Sequence, residues 1–297
     1  MLMKLLKEHH PRFLSWVLLI LLATVWGSSF ILIKKGLTVF PALQVASIRI
    51  LSASLFMIPF AVSWLKQINK KHLPLIFFSG FIGSFIPAIL FSVAQTQLDS
   101  AITGIVNSLT PVFVLLIGVI FYKQRITLLI VIGLMLAIAG SIILMFYGSE
   151  GNQGFNYFAL FIVAATILYG INVNILKFNL SDLNPIAISS ISLFFIGPFA
   201  AIQLFVLSDF TVRLGSGGGA VIALFYLSIL GIIGTSLALM LFNVLIKMTT
   251  PLFSSSVTYL IPIVAVAWGL IDGEKLVFIH YLSMAIIIFG VFLTNKK

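Results

Sequence analysis

Long apolar runs follow one another along nearly the whole chain, and only short charged or turn-forming breaks separate them. A hydrocarbon core about 30 Å thick is crossed by about 20 apolar residues in a helix, so each run predicts one membrane span. The runs predict ten spans, at 15–33, 42–64, 73–95, 100–121, 127–147, 156–176, 184–207, 219–246, 251–271 and 278–295. The pattern therefore predicts an all-α polytopic membrane protein whose consecutive helices are antiparallel neighbours.

Composition supports this interpretation and excludes several classes of protein. Apolar residues make up 61% of the chain and charged residues 8%, against roughly 25% charged in a typical soluble domain. The first run continues to Ile33 without a small-x-small cleavage site, so we expect a span there and no cleaved signal peptide. The net charge is +10, but the cations lie in short loops and tails, so no nucleic-acid partner is expected. Without Cys, disulfides and thiolate metal sites are excluded; no metal or cofactor is expected.

The distribution of Lys and Arg predicts the orientation. If the N-terminus is cytoplasmic, the cytoplasmic loops and tails hold Lys4, Lys7, Arg12, Lys66, Lys70, Lys71, Lys123, Arg125, Lys177, Lys247, Lys296 and Lys297. The opposite side then holds Lys34, Lys35, Arg213 and Lys275. Because cytoplasmic loops carry the excess of cations, both termini are predicted to be cytoplasmic.

The second half of the chain repeats the first. At an offset of 151, residues 80–118 align with 231–269 without a gap, and the identical pairs include Gly83 with Gly234 and Pro111 with Pro262. Two apolar helices that match by chance share Leu, Ile and Val more often than Gly and Pro. Earlier in each half, LATVWGSSFILIKK corresponds to AATILYGINVNILK at an offset of 143.

The repeat unit is thus five helices long, and an odd number of spans inserts the second copy upside down. We predict a cytoplasmic segment at 1–14, a first repeat at 15–148, and an inverted second repeat with a short tail at 149–297. Inverted repeats are typical of secondary transporters, whose substrate site lies between the repeats near the middle of the membrane.

Arg49 is the one full charge well inside a predicted span. Its insertion costs about 2.5–3.5 kcal/mol at mid-helix, whereas each Leu, Ile, Val or Phe of residues 42–64 returns about 0.3–0.6, so the helix still inserts. Intramembrane charges usually face a cavity or a partner. Arg49 either contacts substrate or a gate, or has a structural role near the outer end of its helix.

One aromatic position and one polar position of the first helix recur in the second repeat. Trp26 and Ser29 stand three residues apart on one helix face, and Tyr169 and Asn172 repeat that spacing. They could supply the aromatic wall and hydrogen bonds of a binding cavity. The small residues beside them, such as Gly27, equally suit close helix packing.

Polar residues also precede two prolines that interrupt apolar helices. The fourth span carries Asn107 and Thr110 before Pro111, and the ninth carries Thr258 and Tyr259 before Pro262. Each proline frees a carbonyl one turn earlier, which a membrane tolerates only where protein or water binds it. We expect the four polar residues to line the cavity and the prolines to act as hinges or as static bends. Further candidates near helix ends are Gln95 and Asn243.

No Asp, Glu or His lies in the middle of a predicted span, and no phosphate-binding glycine loop of the Walker type is present. A mid-membrane carboxylate relay and direct ATP drive are therefore not expected, which leaves uniport, exchange or coupling through boundary acids.

Several motifs together resemble the EamA family of the drug/metabolite transporter superfamily. They are VWGSSF in the first span, Arg49 in the second, SLTPVFVLLIG in the fourth, YLIPIVAVAWG in the ninth, and GEKL before the tenth. The resemblance implies a bacterial inner-membrane permease, often an exporter of amino acids or other small metabolites. The family usually has a Gly-Glu pair before the fifth helix as well, where this chain has Lys123, Gln124 and Arg125.

The sequence thus predicts a secondary transporter that exports small organic solutes by alternating access, as a monomer or homodimer in the lipid bilayer. The alternatives are a membrane-embedded enzyme and a channel. The enzyme would need clustered catalytic acids, a metal set or an activated nucleophile, and the channel would need rings of charge or a carbonyl filter. Substrate identity is beyond the sequence.

Overall fold

The structure is a computed structural model that describes residues 11–124, 127–146, 155–215 and 217–295. All regular elements in these ranges are helical. The long helices, some of them interrupted, are α1 (Pro11–Gly27 and Ser29–Leu37), α2 (Ala42–Leu65), α3 (Leu73–Gly80, Phe81–Phe85 and Ile86–Ala94), α4 (Ser100–Asn107 and Thr110–Tyr122), α5 (Leu128–Phe146), α6 (Ala159–Phe178), α7 (Pro185–Phe205), α8 (Ala220–Gly231, Ile232–Leu237 and Ala238–Met248), α9 (Pro251–Ser255 and Val257–Ile271) and α10 (Phe278–Asn295). A short helix, Phe210–Gly215, precedes α8.

Within the described ranges, eight of these helices are long and apolar enough to cross a membrane. They are α1 to α4 and α6 to α9. The apolar parts of the other two, Leu128–Ile143 in α5 and Phe278–Gly290 in α10, are shorter. A multi-pass membrane protein is therefore confirmed, while the number of ten crossings stays a prediction.

The outer surface of the bundle is apolar. Large side chains such as Phe121, Phe225 and Phe278 are more than 60% exposed, whereas many Ser, Thr and Asn side chains are buried between helices. An exposed apolar surface of this extent is unfavourable in water and suits lipid chains. The polar residues that a soluble protein would place outside therefore lie inside, where other helices and cavities meet them.

The helices pack in a regular arrangement of pairs. α2 lies along α7 and α5 lies along α10, and these two contacts are the most extensive in the bundle. α1 packs on α9, and α4 packs on α6. Each of these contacts joins a helix from the first predicted repeat to a helix from the second.

Besides α1, which is interrupted at Ser28, four helices depart from regular α-geometry near the middle of the bundle. α3 has a π-helical turn at Phe81–Phe85 and α8 has one at Ile232–Leu237. α4 is interrupted between Asn107 and Thr110, and α9 at Ser256. π-turns inside α-helices occur frequently at functional sites, and all four interruptions border the same internal space.

Pro111 illustrates how the freed backbone is satisfied. Its ring removes the hydrogen bond to the carbonyl of Asn107 one turn earlier, and that carbonyl accepts a hydrogen bond from Thr110 Oγ1 at 2.8 Å. Pro262 lies inside the second part of α9. Whether either proline serves as a hinge stays a prediction.

Part of the predicted organisation lies outside the described residues. Lys4, Lys7, Arg125, Lys296 and Lys297 belong to this part, as does the join between the repeats at 148/149. The orientation of the termini stays a prediction.

Candidate functional site

A cavity of about 880 Å³, its open end included, lies at the centre of the bundle. Ligand sites usually have mostly apolar walls with a few polar groups. Its walls come from α1, α2, α3, α4, α6, α8 and α9. The lining residues are Trp26, Ser29, Phe30, Ile33, Arg49, Gly83, Ser84, Phe91, Asn107, Thr110, Tyr169, Asn172, Val173, Gly234, Thr235, Leu239, Phe242, Ser255, Val257, Thr258 and Ile261.

Most of the sequence-predicted site residues meet at this cavity. They are Trp26, Ser29, Arg49, Asn107, Thr110, Tyr169, Asn172 and Thr258. They come from five helices and are separated by up to 232 positions along the chain, so the fold alone brings them together. Their role in binding substrate stays a prediction.

Tyr259 does not line the cavity and is half-buried against the apolar core. It follows Thr258 directly, and consecutive helical residues point about 100° apart, so the two side chains face different surroundings. Thr258 is the one that faces the cavity.

Gln95 and Asn243, the two candidates near helix ends, do not line the central cavity either. Gln95 is buried, and its Nε2 donates to the carbonyl of Phe30 at 3.0 Å, which fastens the end of α3 to α1. Asn243 Nδ2 donates to Ser189 Oγ at 2.8 Å, and Asn243 lines a second cavity of about 520 Å³ beside Lys177 and Lys247.

Two pairs of aromatic rings line the central cavity. Trp26 meets the edge of Phe242, with ring centroids 4.9 Å apart, and its Nε1 donates to the carbonyl of Gly234 at 3.0 Å. Tyr169 stacks on Phe91 at 6.0 Å. The indole N–H is therefore engaged by the protein, whereas the Tyr169 hydroxyl has no hydrogen-bond partner among the described residues.

Two polar groups of the cavity are partly engaged by other groups of the protein. Ser29 Oγ donates to the carbonyl of Val25 in its own helix at 3.1 Å. Asn172 Oδ1 accepts a hydrogen bond from Ser79 at 2.6 Å, which orients its amide and leaves the Nδ2 group for the cavity.

Arg49 reaches the cavity from α2 and is held by α8. Its Nε donates to Thr235 Oγ1 at 2.8 Å, and Thr235 Oγ1 in turn donates to the carbonyl of Leu230 at 3.2 Å. This second bond spans five residues, as the π-turn requires. No described acidic side chain forms an ion pair with Arg49.

Comparison with known proteins decides the family. The model of the EamA-like transporter family matches residues 14–146 and again residues 156–296. The chain belongs to the EamA-like transporter family. The resemblance that the motifs suggested is thereby confirmed.

Similar proteins within this family are named as transporters of uncharacterised function. The inner membrane transporter YedA of Escherichia coli K12 is 27% identical over 91% of this chain and 87% of its own length. YetK of Bacillus subtilis is 26% identical over 95% of this chain and 87% of its own. A transporter of Archaeoglobus fulgidus is 29% identical, but the match covers 59% of this chain and less than two thirds, 62%, of that relative.

The fold is shared with a solved protein. A crystal structure superposes with a TM-score of 0.66 over 95% of this chain and 96% of that chain, at 14% identity. This likeness shows the fold. The family match and the apolar helices make the chain a multi-pass membrane protein of a transporter family.

The sequence reasoning missed several residues that line the cavity of this EamA family member. They include Ser84, Phe91, Thr235 and Phe242. The offset of 151 relates Ser84 to Thr235 and Phe91 to Phe242, so a polar or aromatic residue recurs at the same repeat position. That recurrence was the available signal for these four residues.

A buried charge cluster lies at one end of the bundle. Glu274, whose side chain is 1% exposed, accepts hydrogen bonds from the backbone N–H groups of Ser100 and Ala101, each at 3.0 Å. Lys34 Nζ lies 2.8 Å from both Glu274 Oε1 and Asp272 Oδ2. The carboxylate therefore caps the N-terminus of α4, where the helix dipole favours negative charge, and ties it to α1.

Asp272 completes this cluster outside the helical spans. Its second carboxylate oxygen lies 2.5 Å from Lys35 Nζ. The ammonium groups of Lys34 and Lys35 hold the pKa of the Asp272 carboxyl below its ordinary value. The carboxylate is thus ionised throughout the neutral range, so the cluster does not depend on pH there through Asp272.

Proposed function

We propose that this chain is a secondary transporter of small organic solutes, amino acids or related metabolites among them, that works by alternating access. The observation that carries the proposal is the central cavity, whose wall is shared between the two halves of the chain. An internal site that both halves complete is what a carrier needs in order to open first to one side and then to the other.

The cavity wall supports the inverted repeat. Its residues fall into pairs related by the offsets of the sequence repeat, 143 in the first helices and 151 in the later ones. Such pairs are Trp26 and Tyr169, Ser29 and Asn172, Gly83 and Gly234, Ser84 and Thr235, Phe91 and Phe242, and Asn107 and Thr258. Both members of each pair face one space, as expected if a two-fold axis passes through the cavity.

Helix packing supports the same symmetry. A Cβ on Gly27 would lie 2.5 Å from Val264 Cβ, and a Cβ on Gly170 would lie 2.8 Å from the backbone of Phe113. Gly27 and Gly170 are 143 residues apart, and Phe113 and Val264 are 151 apart. The same close approach of two helices thus occurs once in α1 against α9 and once in α6 against α4.

The irregular turns and the family match also agree with a duplication. The π-turn of α3 begins at Phe81 and that of α8 begins at Ile232, 151 positions later. The family model matches the chain twice, once in each half. Five helices per repeat then give ten crossings, with the repeats in opposite orientation and both termini in the cytoplasm.

The membrane and direction of transport follow from the resemblance. YedA is named as an inner membrane transporter, and we propose the inner membrane for this chain. Export is proposed because the motifs resemble a family that includes exporters. We propose that the chain works as a monomer or a homodimer.

A counterflow experiment tests the carrier. Purified protein in proteoliposomes is loaded with a metabolite extract labelled uniformly with ¹³C, unlabelled extract is added outside, and exchange is followed by mass spectrometry. A carrier exchanges a defined subset of metabolites, and the exchange saturates. An ohmic current without saturable exchange would support a channel, and chemical conversion of a metabolite would support an enzyme; either result contradicts the proposal.

A matched pair of variants shows whether exchange uses the central cavity. Ser84→Trp places an indole in the cavity, whereas Leu55→Trp places one on the outer surface, where Leu55 is 57% exposed. We expect exchange to be lost in the first variant and kept in the second. Equal exchange in both variants would show that the solute does not pass through the cavity.

A separate experiment tests the direction of transport. It compares the metabolites released by cells that overproduce the protein with those released by vector controls.

A further inference from the structure

Arg49 is the one charged side chain in the cavity wall formed by the described residues. Arginine remains protonated in proteins, so its positive charge cannot be removed by losing a proton. A full charge within a span is unfavourable unless it is paired or hydrated. The ion pairs of Asp182, Asp209, Asp272 and Glu274 are made with other residues, and no described acid forms an ion pair with Arg49.

The hydrogen bonds of Arg49 determine which part of the guanidinium faces the cavity. The hydroxyl of Thr235 accepts from Nε at 2.8 Å and is itself fixed to the carbonyl of Leu230. Neither Nη group donates to another described residue. The guanidinium is thus oriented by one edge, while its two terminal nitrogens remain for a ligand.

The other free polar groups of the wall are also donors. Asn172 has its oxygen engaged by Ser79, which leaves the Nδ2 group. Asn107 Nδ2 has no hydrogen-bond partner among the described residues, and Asn107 Oδ1 lies 3.5 Å from Thr110 Oγ1, which already donates to the carbonyl of Asn107. The Tyr169 hydroxyl adds a further donor. A wall with one cation and several N–H or O–H donors suits a ligand whose polar end consists of acceptors.

We propose that the cavity binds monoanionic organic solutes, with a carboxylate or an equivalent singly charged oxyanion on the terminal nitrogens of Arg49. The two Nη groups match the two oxygens of a carboxylate, a pairing stronger and more directional than a neutral hydrogen bond. One cation balances one negative charge. A second negative charge on the solute would have no cation in the described wall, and an ammonium group would have no acid.

The apolar body of such a solute has a defined place. Trp26 and Phe242 form one aromatic wall, and Phe91 and Tyr169 form the other. A flat ring or a short alkyl chain fits between aromatic side chains of this kind. The expected class is therefore aryl and alkyl carboxylates, and the α-ammonium group of an amino acid would have no acidic partner in the described wall.

This inference rests on the proposed function, so its test measures binding separately from flux. The probes are phenylacetate, phenylacetamide and phenethylamine, which share a ring and one methylene and carry charges of −1, 0 and +1 near pH 7. Thermal stabilisation of the purified full-length protein is measured at equal probe concentration and ionic strength. We expect phenylacetate to stabilise the wild type, and the amide and the amine to have no comparable effect.

Variants at two repeat-related positions provide the control. Arg49→Gln keeps the hydrogen bond to Thr235 but removes the charge, and we expect phenylacetate to bind at least about tenfold more weakly. Arg49→Lys keeps the charge without the paired nitrogens and is expected to retain the order acid over amide at lower affinity. Ser192→Ala changes the equivalent position, 143 residues later in α7 and outside the cavity wall, and should bind as the wild type does.

Three results would overturn the proposal. They are stabilisation by the amide or the amine equal to that by the acid, stabilisation by the acid that survives in Arg49→Gln, and no stabilisation by phenylacetate, hexanoate or indole-3-acetate. Because the wild type alone gives the comparison of the three probes, a variant that fails to fold leaves the test valid.

Counterflow separates this inference from the proposed function. If acids bind through Arg49 but the protein exchanges no solute, the proposed transport function is contradicted and the proposed anion site is kept. Saturable exchange restricted to cations and neutral solutes would leave the transporter standing and contradict the anion site.

Discussion

The turn that follows α4 and the turn that follows α9 occupy equivalent places in the two halves but differ in charge. After α9, Gly273 adopts a φ of 84° and the N–H of Glu274 donates to the carbonyl of Gly269 at 2.8 Å. After α4, Lys123 adopts a φ of 54° and the N–H of Gln124 donates to the carbonyl of Gly118 at 3.1 Å. Both turns contain a left-handed residue and return to equivalent glycines, although the turn after α4 is one residue longer. The side chain that the turn presents is a carboxylate in one half and an amide in the other.

The contacts of the two ends differ accordingly. Glu274 binds two N–H groups of α4 and Lys34. Lys177, which stands 143 positions after Lys34, donates instead to the backbone carbonyls of Ile246 and Thr249 at the end of α8. The duplication has thus kept the helix packing and a left-handed turn. Among the described residues, only the end that carries Glu274 has an acid that links three helices. If the protein alternates between two open states, the two ends must open at different free-energy costs.

The largest effect on this comparison is expected from Glu274→Gln. The change removes the charge that binds two helix N–H groups and Lys34, and lost hydrogen bonds to a charged group cost about 1.5–3 kcal/mol. Equilibrium unfolding with SDS in mixed micelles should show a loss of this size. Gln124→Leu, the matched change at the neutral end, should lower stability by less than half as much. Equal losses would mean that the two ends do not differ.

Gly273→Ala should have the next largest effect. A left-handed backbone costs a residue with a Cβ roughly 1–2 kcal/mol, and no atom lies within 4 Å of the added Cβ, so strain alone decides the outcome. The reverse change, Lys123→Gly, should raise the unfolding free energy by somewhat less. Both are measured in the same unfolding assay. A neutral Gly273→Ala would show that this turn is not rigid in the membrane protein.

Lys34→Met is expected to cost about 1 kcal/mol. Lys34 pairs with two acids, but its side chain is 34% exposed. Solvent weakens an ion pair at an exposed side chain. Lys177→Met removes bonds to neutral carbonyls only, so we expect a smaller loss. If Lys177→Met proves less stable than Lys34→Met, the charge cluster around Glu274 does not account for the difference between the two ends of the bundle.

The smallest effect concerns Asp272 and pH. Because Lys34 and Lys35 lower the pKa of its carboxyl, its contribution to stability is present above the unfolded pKa of about 3.9 and is lost as pH falls through the folded value. The difference in melting temperature between the wild type and Asp272→Asn should therefore be constant from pH 8 to about pH 5 and shrink below about pH 4. A difference that changed near pH 7 would contradict this assignment.

The sequence could predict which residues share the cavity where helical periodicity is regular. Tyr169 and Asn172 follow the i, i+3 rule on the uninterrupted helix α6, and Trp26 and Ser29 keep that spacing across the break of α1 at Ser28; all four line the cavity as expected. Tyr259 directly follows Thr258 and points about 100° away from it around α9, so it packs against the apolar core instead.

Long-range partners could not be predicted at all. The acceptor of Arg49 is Thr235, which lies 186 positions away and in a π-turn that a spacing of 3.6 residues does not describe. Glu274 was recognised only as part of a motif, and its partners at Ser100 and Lys34 depend on how α1, α4 and the end of α9 pack together. Such contacts are properties of the tertiary fold.

The central claim is that the two halves surround the cavity in opposite orientation, and the side of the membrane that equivalent loops reach tests it most directly. The chain has no Cys, so single cysteines can be introduced at Thr38 and Ser181, which are 143 positions apart and both exposed. A membrane-impermeant maleimide applied to intact cells should label Thr38→Cys and should label Ser181→Cys only after permeabilisation. Labelling of both positions from the same side would contradict the inverted repeat.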